Sequence, residues 1–346
     1  MRGLVGLAAL VVTVLGPTAE AAPRWAIAAH GGAGEIKRGE LAAEQDAAYR
    51  AALARAVAAG AKVLEAGGAA LDAAEATVRI LEDDPLFNAG RGAVFTADGR
   101  IELDAAIMDG ASLNAGAVAG ITRTRHPVTL ARAVMEHSPH VMLVGEGAEA
   151  FARSRGIEAA PPGWFFTEAR WAALLRKLKA EGLPAPPRPK DAPPAPAGVA
   201  TLAHDEGKHG TVGVVARDAR GRLAAATSTG GLNGKRWGRV GDSPIIGAGT
   251  YAGPACAVSG TGTGEYFIRL TLAREICALT ELKGLGLQTA ADQMIHRDLS
   301  GLGGDGGVIA LGADGQAAWS FNTAGMYRAR MAEGQPLTTG IYKDDP

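Results

Sequence analysis

Three times this chain runs an apolar stretch into a turn of aspartate and glycine and comes straight back: GAVFTADGRIELDAAIMDG at 92–110, TVGVVARDARGRLAAATS at 211–228 and GGVIALGADGQAAWSFN at 306–322. Asp and Gly between β-forming runs are a short-range hairpin signal, because glycine accepts the positive φ that a tight turn demands. Alanine and leucine recur at helical spacing over residues 40–66, up to Gly67-Gly68, and again over 71–82. A short apolar strand in RWAIAAHGGAG runs into a glycine-rich turn at His30 to Gly34. A further strand is expected over 115–122, and helices start near Val128, Gly145 and Gly264. Hairpins grouped together, with helices before and after, argue against a parallel doubly wound sheet. The expected fold is α+β, two stacked and mainly antiparallel sheets covered by helical layers.

Between the first and second hairpins the composition changes. From Pro184 to Pro196 seven residues are proline, with few apolar side chains between them. Such a segment cannot pack a core, so residues 181–210 are expected to form a mobile tail. Neither flank looks complete alone: the first supplies helices and some strands, the second strands that need a partner face. One domain built from two parts, 22–210 and 211–346, with a loose loop where the chain can be cut without unfolding, meets both conditions.

The first residues belong to neither part. Arg2, an apolar run from Leu4 to Leu15 and the small-x-small pattern at Ala19 to Ala21 predict a signal peptide over 1–21. The run is short for a membrane span, so an exported chain, periplasmic or secreted, without stable membrane insertion after signal removal is expected. Export permits disulfides, yet Cys256 and Cys277 are the only cysteines, and spacing leaves open whether they pair or stay as two thiols. Formal net charge is −1 and no Lys/Arg block exceeds two residues, which argues against a nucleic-acid partner.

The chemistry concentrates where the tail ends. Thr211 stands between Gly210 and the start of an apolar strand. A threonine hydroxyl is a weak nucleophile without an adjacent base, and no G-x-S-x-G motif is present. A free α-amine on the same residue would serve, since it titrates at about 7.7 to 8. Exposing it requires the Gly210–Thr211 bond to break, and the hydroxyl of Thr211 is placed to attack that carbonyl itself.

Three further segments supply what acyl transfer needs. ATSTGG sets Thr227, Ser228 and Thr229 at the end of the return strand opposite Thr211. GRVGDSP brings Arg239 and Asp242 onto one glycine turn, where they can hold a carboxylate and an ammonium, although such a pair is most often a solvated ion pair. SGTGTGE runs from a strand into a helix and offers backbone N–H groups and the Thr261 hydroxyl as oxyanion donors. It lacks the G-K-[ST] ending of a phosphate-binding loop. His30 and His209 have no metal-ligand spacing and read as structural or processing-related.

Together these segments resemble the plant-type asparaginase and isoaspartyl peptidase family of N-terminal nucleophile hydrolases. The likeness runs along nearly the whole chain, through HGGAG at 30–34, PLFNAGRGAVFT at 85–96, ELDAAIMDG at 102–110, SPHVMLVGEGAE at 138–149, HGTVGVV at 209–215, TSTGG at 227–231, GRVGDSPIIGAG at 238–249, GTGTGE at 260–265 and FNTAGMYR at 321–328. The resemblance implies a four-layer αββα sandwich, self-cleavage between Gly210 and Thr211, and a dimer of two-chain protomers. It makes Thr211 the nucleophile and Thr229 the second hydroxyl. Thr261 and Gly262 become the oxyanion hole. The aspartyl group is bound by Arg239 and Asp242, with Val240, Gly241, Thr263 and Gly264 around it. Asn88 supports the site. A structural sodium ion is implied on the backbone carbonyls of Leu81, Glu82, Asp84, Phe87, Ala89 and Arg91, and no cofactor is implied for catalysis. The implied substrates are L-asparagine and β-aspartyl dipeptides.

Two alternatives stand beside this reading. Glycosylasparaginases share GRVGDSP but usually carry asparagine where this chain has Gly230. An exported amino-acid binding protein would use Arg239 and Asp242 without turnover and keep the Gly210–Thr211 bond whole. Gly260, which often bears a small side chain in relatives, and a slightly short 251–258 loop depart from the family pattern at positions that bear on substrate preference.

Overall fold

The computed structural model describes residues 23–161, 163–194 and 210–346, so the signal expected at 1–21 and the last part of the tail fall outside the described residues. The chain opens with strand β1 (Ala26–Gly34) and two helices, α1 (Ala43–Glu65) and α2 (Ala70–Asp83). Strands β2 (Leu103–Asp109) and β3 (Ala115–Ile121) follow, then α3 (Pro127–His137), β4 (Met142–Val144), α4 (Gly145–Ser154) and α5 (Glu168–Ala180). After the tail come β5 (Val212–Arg217), β6 (Leu223–Thr229), β7 (Thr250–Ala252) and β8 (Cys256–Gly262). Helices α6 (Gly264–Leu270), α7 (Leu272–Lys283) and α8 (Leu287–Asp292) lead through a π-helical turn to β9 (Gly306–Gly312), β10 (Ala317–Phe321), β11 (Gly325–Ala332) and β12 (Thr338–Tyr342).

The strands form two sheets, one in the order β12-β11-β1-β5-β6-β2-β3-β4 and one in the order β10-β9-β8-β7. All pairings are antiparallel except β3 with β4, as the hairpin pattern predicts. Period-2 alternation explains the layering. In the large sheet Ile27, Ala29, Val214, Ala224 and Ala226 point to α1 and α2, while Ala26, Ala28, Val215, Leu223 and Ala225 meet Ala257, Ile309 and Leu311 of the small sheet. The small sheet turns Val258, Val308 and Ala310 outward to α7 and α8. The order is helices, sheet, sheet, helices, with alanine dominating the inter-sheet layer and letting the two backbones come close.

Helix ends are written locally. Asp84 takes extended φ and ψ of −92° and 117°, as the residue before a proline must, so α2 stops and the chain is thrown into the loop that carries Asn88. Gly60 of α1 faces Thr77 of α2 and Ile27 of β1 at a spacing that leaves no room for a Cβ, which fixes how closely the first helical layer seats.

Two expectations are corrected. The turn at His30 to Gly34 is strand: β1 continues to Gly34 along β11, and the glycines take up a register shift between His30 and Gly32. The hairpin at 92–110 has its turn, with the Gly99 N–H donating to the Thr96 carbonyl at 3.0 Å, but no first arm. Both edges of β2 are taken by β3 and β6, so residues 92–97 pair elsewhere, Ala97 donating to the Lys235 carbonyl at 2.9 Å and Phe95 accepting from Gly234 at 2.7 Å. In the described part of the 181–210 tail, Arg188 forks onto Glu168 of α5 and donates to the Pro193 carbonyl at 2.8 Å, and Asp191 accepts from the Gly163 N–H at 3.0 Å.

Cys256 and Cys277 form a disulfide with a Cα–Cα separation of 5.6 Å that staples β8 to α7. A Cys256→Ala/Cys277→Ala variant is expected to lose about 3 kcal/mol of stability, the loop-closure value for a loop of this order, in urea unfolding compared with the oxidised protein.

Candidate active site

The β5–β6 register, Val212 opposite Ser228, sets Thr211 opposite Thr229. Alternation then turns Thr211, Thr227 and Thr229 toward the inter-sheet side and Ser228 toward the helices. The Thr211 Oγ1 donates to the Thr229 Oγ1 at 2.9 Å, and Thr229 accepts in turn from the Gly231 N–H at 2.9 Å. On the helix side Ser228 donates to the buried carboxyl of Glu82 at 2.7 Å, which also accepts from the Val128 N–H at 3.0 Å. Burial pushes the Glu82 carboxyl above its ordinary range.

Asn88 closes the site from the other direction. Its N–H donates to the Gly210 carbonyl at 3.0 Å and its carbonyl accepts from Gly230 at 3.1 Å. Its side chain donates to the Gly231 carbonyl at 2.8 Å and accepts from the Val94 N–H at 2.9 Å. A Cβ on Gly210 would lie 2.6 Å from the Asn88 Cβ, so the residue before the candidate nucleophile must be glycine for this loop to sit where it does.

A small cavity opens between these parts, lined by Thr211, Thr229, Gly231, Leu232, Arg239, Gly241, Asp242, Ser243 and Gly262. Six of these were expected from sequence. Gly231, Leu232 and Ser243 were not singled out, although all stand inside or beside the quoted motifs. Val240, Thr263 and Gly264 are not among the lining residues. Gly264 packs behind Asp242, where a Cβ would meet the carboxyl at 2.8 Å, and the Thr263 hydroxyl donates to Asp305. Thr261 is fully buried beside Gly262, and its Oγ1 has no hydrogen-bond partner among the described residues.

Arg239 and Asp242 share the cavity without pairing. The Nε and Nη2 of Arg239 both donate to Glu265 at 2.9 Å, a partner the sequence reading missed, while Nη1 lies beside Gly231 and Gly241. Asp242 is buried, its Oδ2 has no hydrogen-bond partner among the described residues, and burial pushes its carboxyl up to about 7 against the opposing pull of Arg239. Behind them Lys235 and Asp104 are buried 3.8 Å apart. His30 is fully buried with Nε2 3.0 Å from the Ser259 Oγ, and burial lowers its pKa to about 3, so it is neutral there. His209 falls outside the described residues.

Among the described residues no group of His, Cys, Asp or Glu is arranged to hold a metal. The 81–92 loop is different in kind, because backbone oxygens line it: a Cβ on Gly90 would lie 2.2 Å from the Glu82 carbonyl oxygen, and one on Gly92 would lie 2.1 Å and 2.6 Å from those of Phe87 and Pro85. Such a cradle suits a hard cation held by carbonyls rather than a transition metal.

Two stacked sheets clad in helices, with a threonine at the head of a strand and a second hydroxyl across from it, define the architecture of the N-terminal nucleophile hydrolases. An asparaginase family model matches residues 23–341. The isoaspartyl peptidase of Salmonella typhimurium is 51% identical over 325 residues, covering 92% of this chain and 98% of its own. That of Escherichia coli is 51% identical over 321 residues, 92% of this chain and 96% of its own. A probable isoaspartyl peptidase/L-asparaginase of Arabidopsis thaliana is 42% identical, covering 92% and 99%. The chain belongs to the asparaginase family.

Gly230 separates this site from one with a side chain at that position, since a Cβ there would lie 2.6 Å from the Asn88 Oδ1 and 2.8 Å from the Ala93 Cβ. Gly230→Ala is expected to cost about 1–3 kcal/mol by overpacking, read as a lowered urea midpoint.

Proposed function

We propose that this chain is a self-activating threonine hydrolase that cleaves β-aspartyl dipeptides and L-asparagine to L-aspartate. The observation that carries the reading is the 2.9 Å contact of the Thr211 and Thr229 hydroxyls beside a Gly210 carbonyl held by the Asn88 N–H. The names of the relatives, isoaspartyl peptidase and isoaspartyl peptidase/L-asparaginase, support the substrate class.

Activation begins with the Thr211 Oγ adding to the Gly210 carbonyl carbon, the oxyanion being stabilised by the Asn88 N–H. The Gly210–Thr211 C–N bond breaks, its nitrogen takes a proton, and water hydrolyses the resulting ester to leave a Gly210 carboxylate and a free Thr211 amine. In turnover that amine accepts the proton of the Thr211 hydroxyl, which attacks the side-chain carbonyl of the substrate. The unpartnered Thr261 hydroxyl and the Gly262 N–H receive the oxyanion. Collapse expels ammonia or the amine of the second amino acid, which carries off the proton, and water releases aspartate from Thr211. Thr229 donates to the nucleophile's oxygen when its proton has left.

Arg239 holds the substrate α-carboxylate through Nη1, with Glu265 fixing the rest of the guanidinium, and Asp242 holds the α-ammonium. The backbone carbonyls of Leu81, Glu82, Asp84, Phe87, Ala89 and Arg91 would hold a sodium ion, which would steady the loop that carries Asn88. The disulfide and the leader pattern at 1–21 support export. The mature particle is proposed to be a dimer of two-chain protomers.

Mass spectrometry of the denatured protein, with the N-terminus of each fragment read, is expected to find two chains, one starting at Thr211, and a single uncut chain in Thr211→Ala. A wild-type chain that stays whole on long incubation and binds aspartate without turnover would instead favour the binding-protein alternative. Because the Asp242 pKa is raised, its carboxyl gains a proton and loses its charge as pH falls through about 7. KM is therefore expected to rise below that pH in the free enzyme while kcat changes less, measured by steady-state kinetics between pH 5.5 and 8.5, a range chosen to span roughly 1.5 units on either side of neutrality.

A further inference from the structure

One buried charge close to the site is unused by the chemistry above. Arg170, on the first turn of α5, is 6% exposed. Its Nε donates to the Gly92 carbonyl at 2.8 Å, and its Nη2 reaches the Leu86 carbonyl at 3.4 Å, where the Tyr49 hydroxyl also donates at 3.3 Å. Burial lowers its pKa only to about 10, which leaves the guanidinium charged at neutral pH.

The two carbonyls it reaches lie on either side of Asn88, and neither belongs to the set assigned to sodium. The turn between them has no slack. Gly90 takes φ +49° against the Glu82 carbonyl, and Gly92 packs against the carbonyls of Pro85 and Phe87. A planar fork aimed at two oxygens fixes direction as well as distance, which a flexible ammonium does not. Asn88, at the crown of this turn, is bonded to Gly210 on one side of the candidate nucleophile and to Gly230 and Gly231 just beyond Thr229. A shift of the turn therefore moves the strand ends that carry the two hydroxyls relative to one another.

We propose that Arg170 is a positioning residue for the reaction: by pinning the 86–92 turn from outside the site, it holds Asn88 and so sets the alignment of Thr211 with Gly210 and Thr229. This rests on the hydrolase reading given above. It makes the anchored start of α5, far along the sequence from either hydroxyl, a determinant of both self-cleavage and turnover, but not of substrate capture by Arg239 and Asp242.

The test compares wild type, Arg170→Met and Arg170→Lys as full-length chains. It follows the appearance of the two fragments with time, and kcat and KM of the fully cleaved fraction on a β-aspartyl dipeptide. In Arg170→Met, cleavage and kcat are expected to fall roughly ten- to hundredfold, the cost of a misaligned reacting pair, with KM within about twofold of wild type. Arg170→Lys, which can reach one carbonyl but not two, is expected to fall between them. Cleavage and kcat at wild-type values in either folded variant would overturn the proposal, as would a rise in KM matching the fall in kcat. If the methionine variant does not fold, the lysine variant decides alone. Failure of the hydrolase reading is visible separately, as a wild-type chain that never cleaves.

Discussion

The site rests on one registration between neighbouring strands. With Val212 opposite Ser228, every second residue of β5 and β6 faces the inter-sheet layer, and Thr211 and Thr229 emerge as an opposed pair where the ladder ends. A slip of one residue would send Thr229 to the helical face and put Ser228 in its place. Two features guard against that. The helical face is filled by Val212, Val214, Ala224 and Ala226 against α1 and α2, and Ser228 itself is held by Glu82. The carboxyl at the end of α2 thus fixes strand parity beside the candidate nucleophile, while the loop that follows the same helix delivers Asn88 from the opposite direction.

What the sequence makes legible is whatever local rules control. The hairpins at 211–228 and 306–322 were readable because both strands and the turn are contiguous, and the pairing of Thr211 with Thr229 follows from that contiguity alone. The first arm of the 92–110 segment was not, because its hydrogen bonds go to Phe95's and Ala97's partners near Lys235, more than a hundred residues away. Arg239 and Asp242 were legible as residues but not as a geometry: the direction in which α6 leaves β8 brings Glu265, and not Asp242, to the guanidinium. Proline content could not report that Arg188 and Asp191 tie down the described part of the 181–210 tail.

The charges of the site are arranged by degree of exposure. Glu265, half exposed, saturates one edge of Arg239 at little desolvation cost, whereas Asp242 and the Lys235–Asp104 pair are taken out of water altogether. Buried charge of this kind contributes little to stability and can oppose it. On the proposed reading its value lies in a fixed field around a small cavity, where an incoming zwitterion would complete interactions that the folded chain leaves open.

The strand order carries a last consequence. β1, from the part before Thr211, lies between β11 and β5, and β5 and β6 lie between β1 and β2, so the two parts are interleaved across one sheet. A break after Gly210 would remove covalent continuity without creating a boundary along which the pieces could separate. Refolding, however, would become an encounter between two molecules, slow when dilute, where in the uncut chain it is an intramolecular search. The broken protein would then persist because it rarely opens rather than because it readily re-forms, its lifetime set by an unfolding barrier instead of a reversible equilibrium.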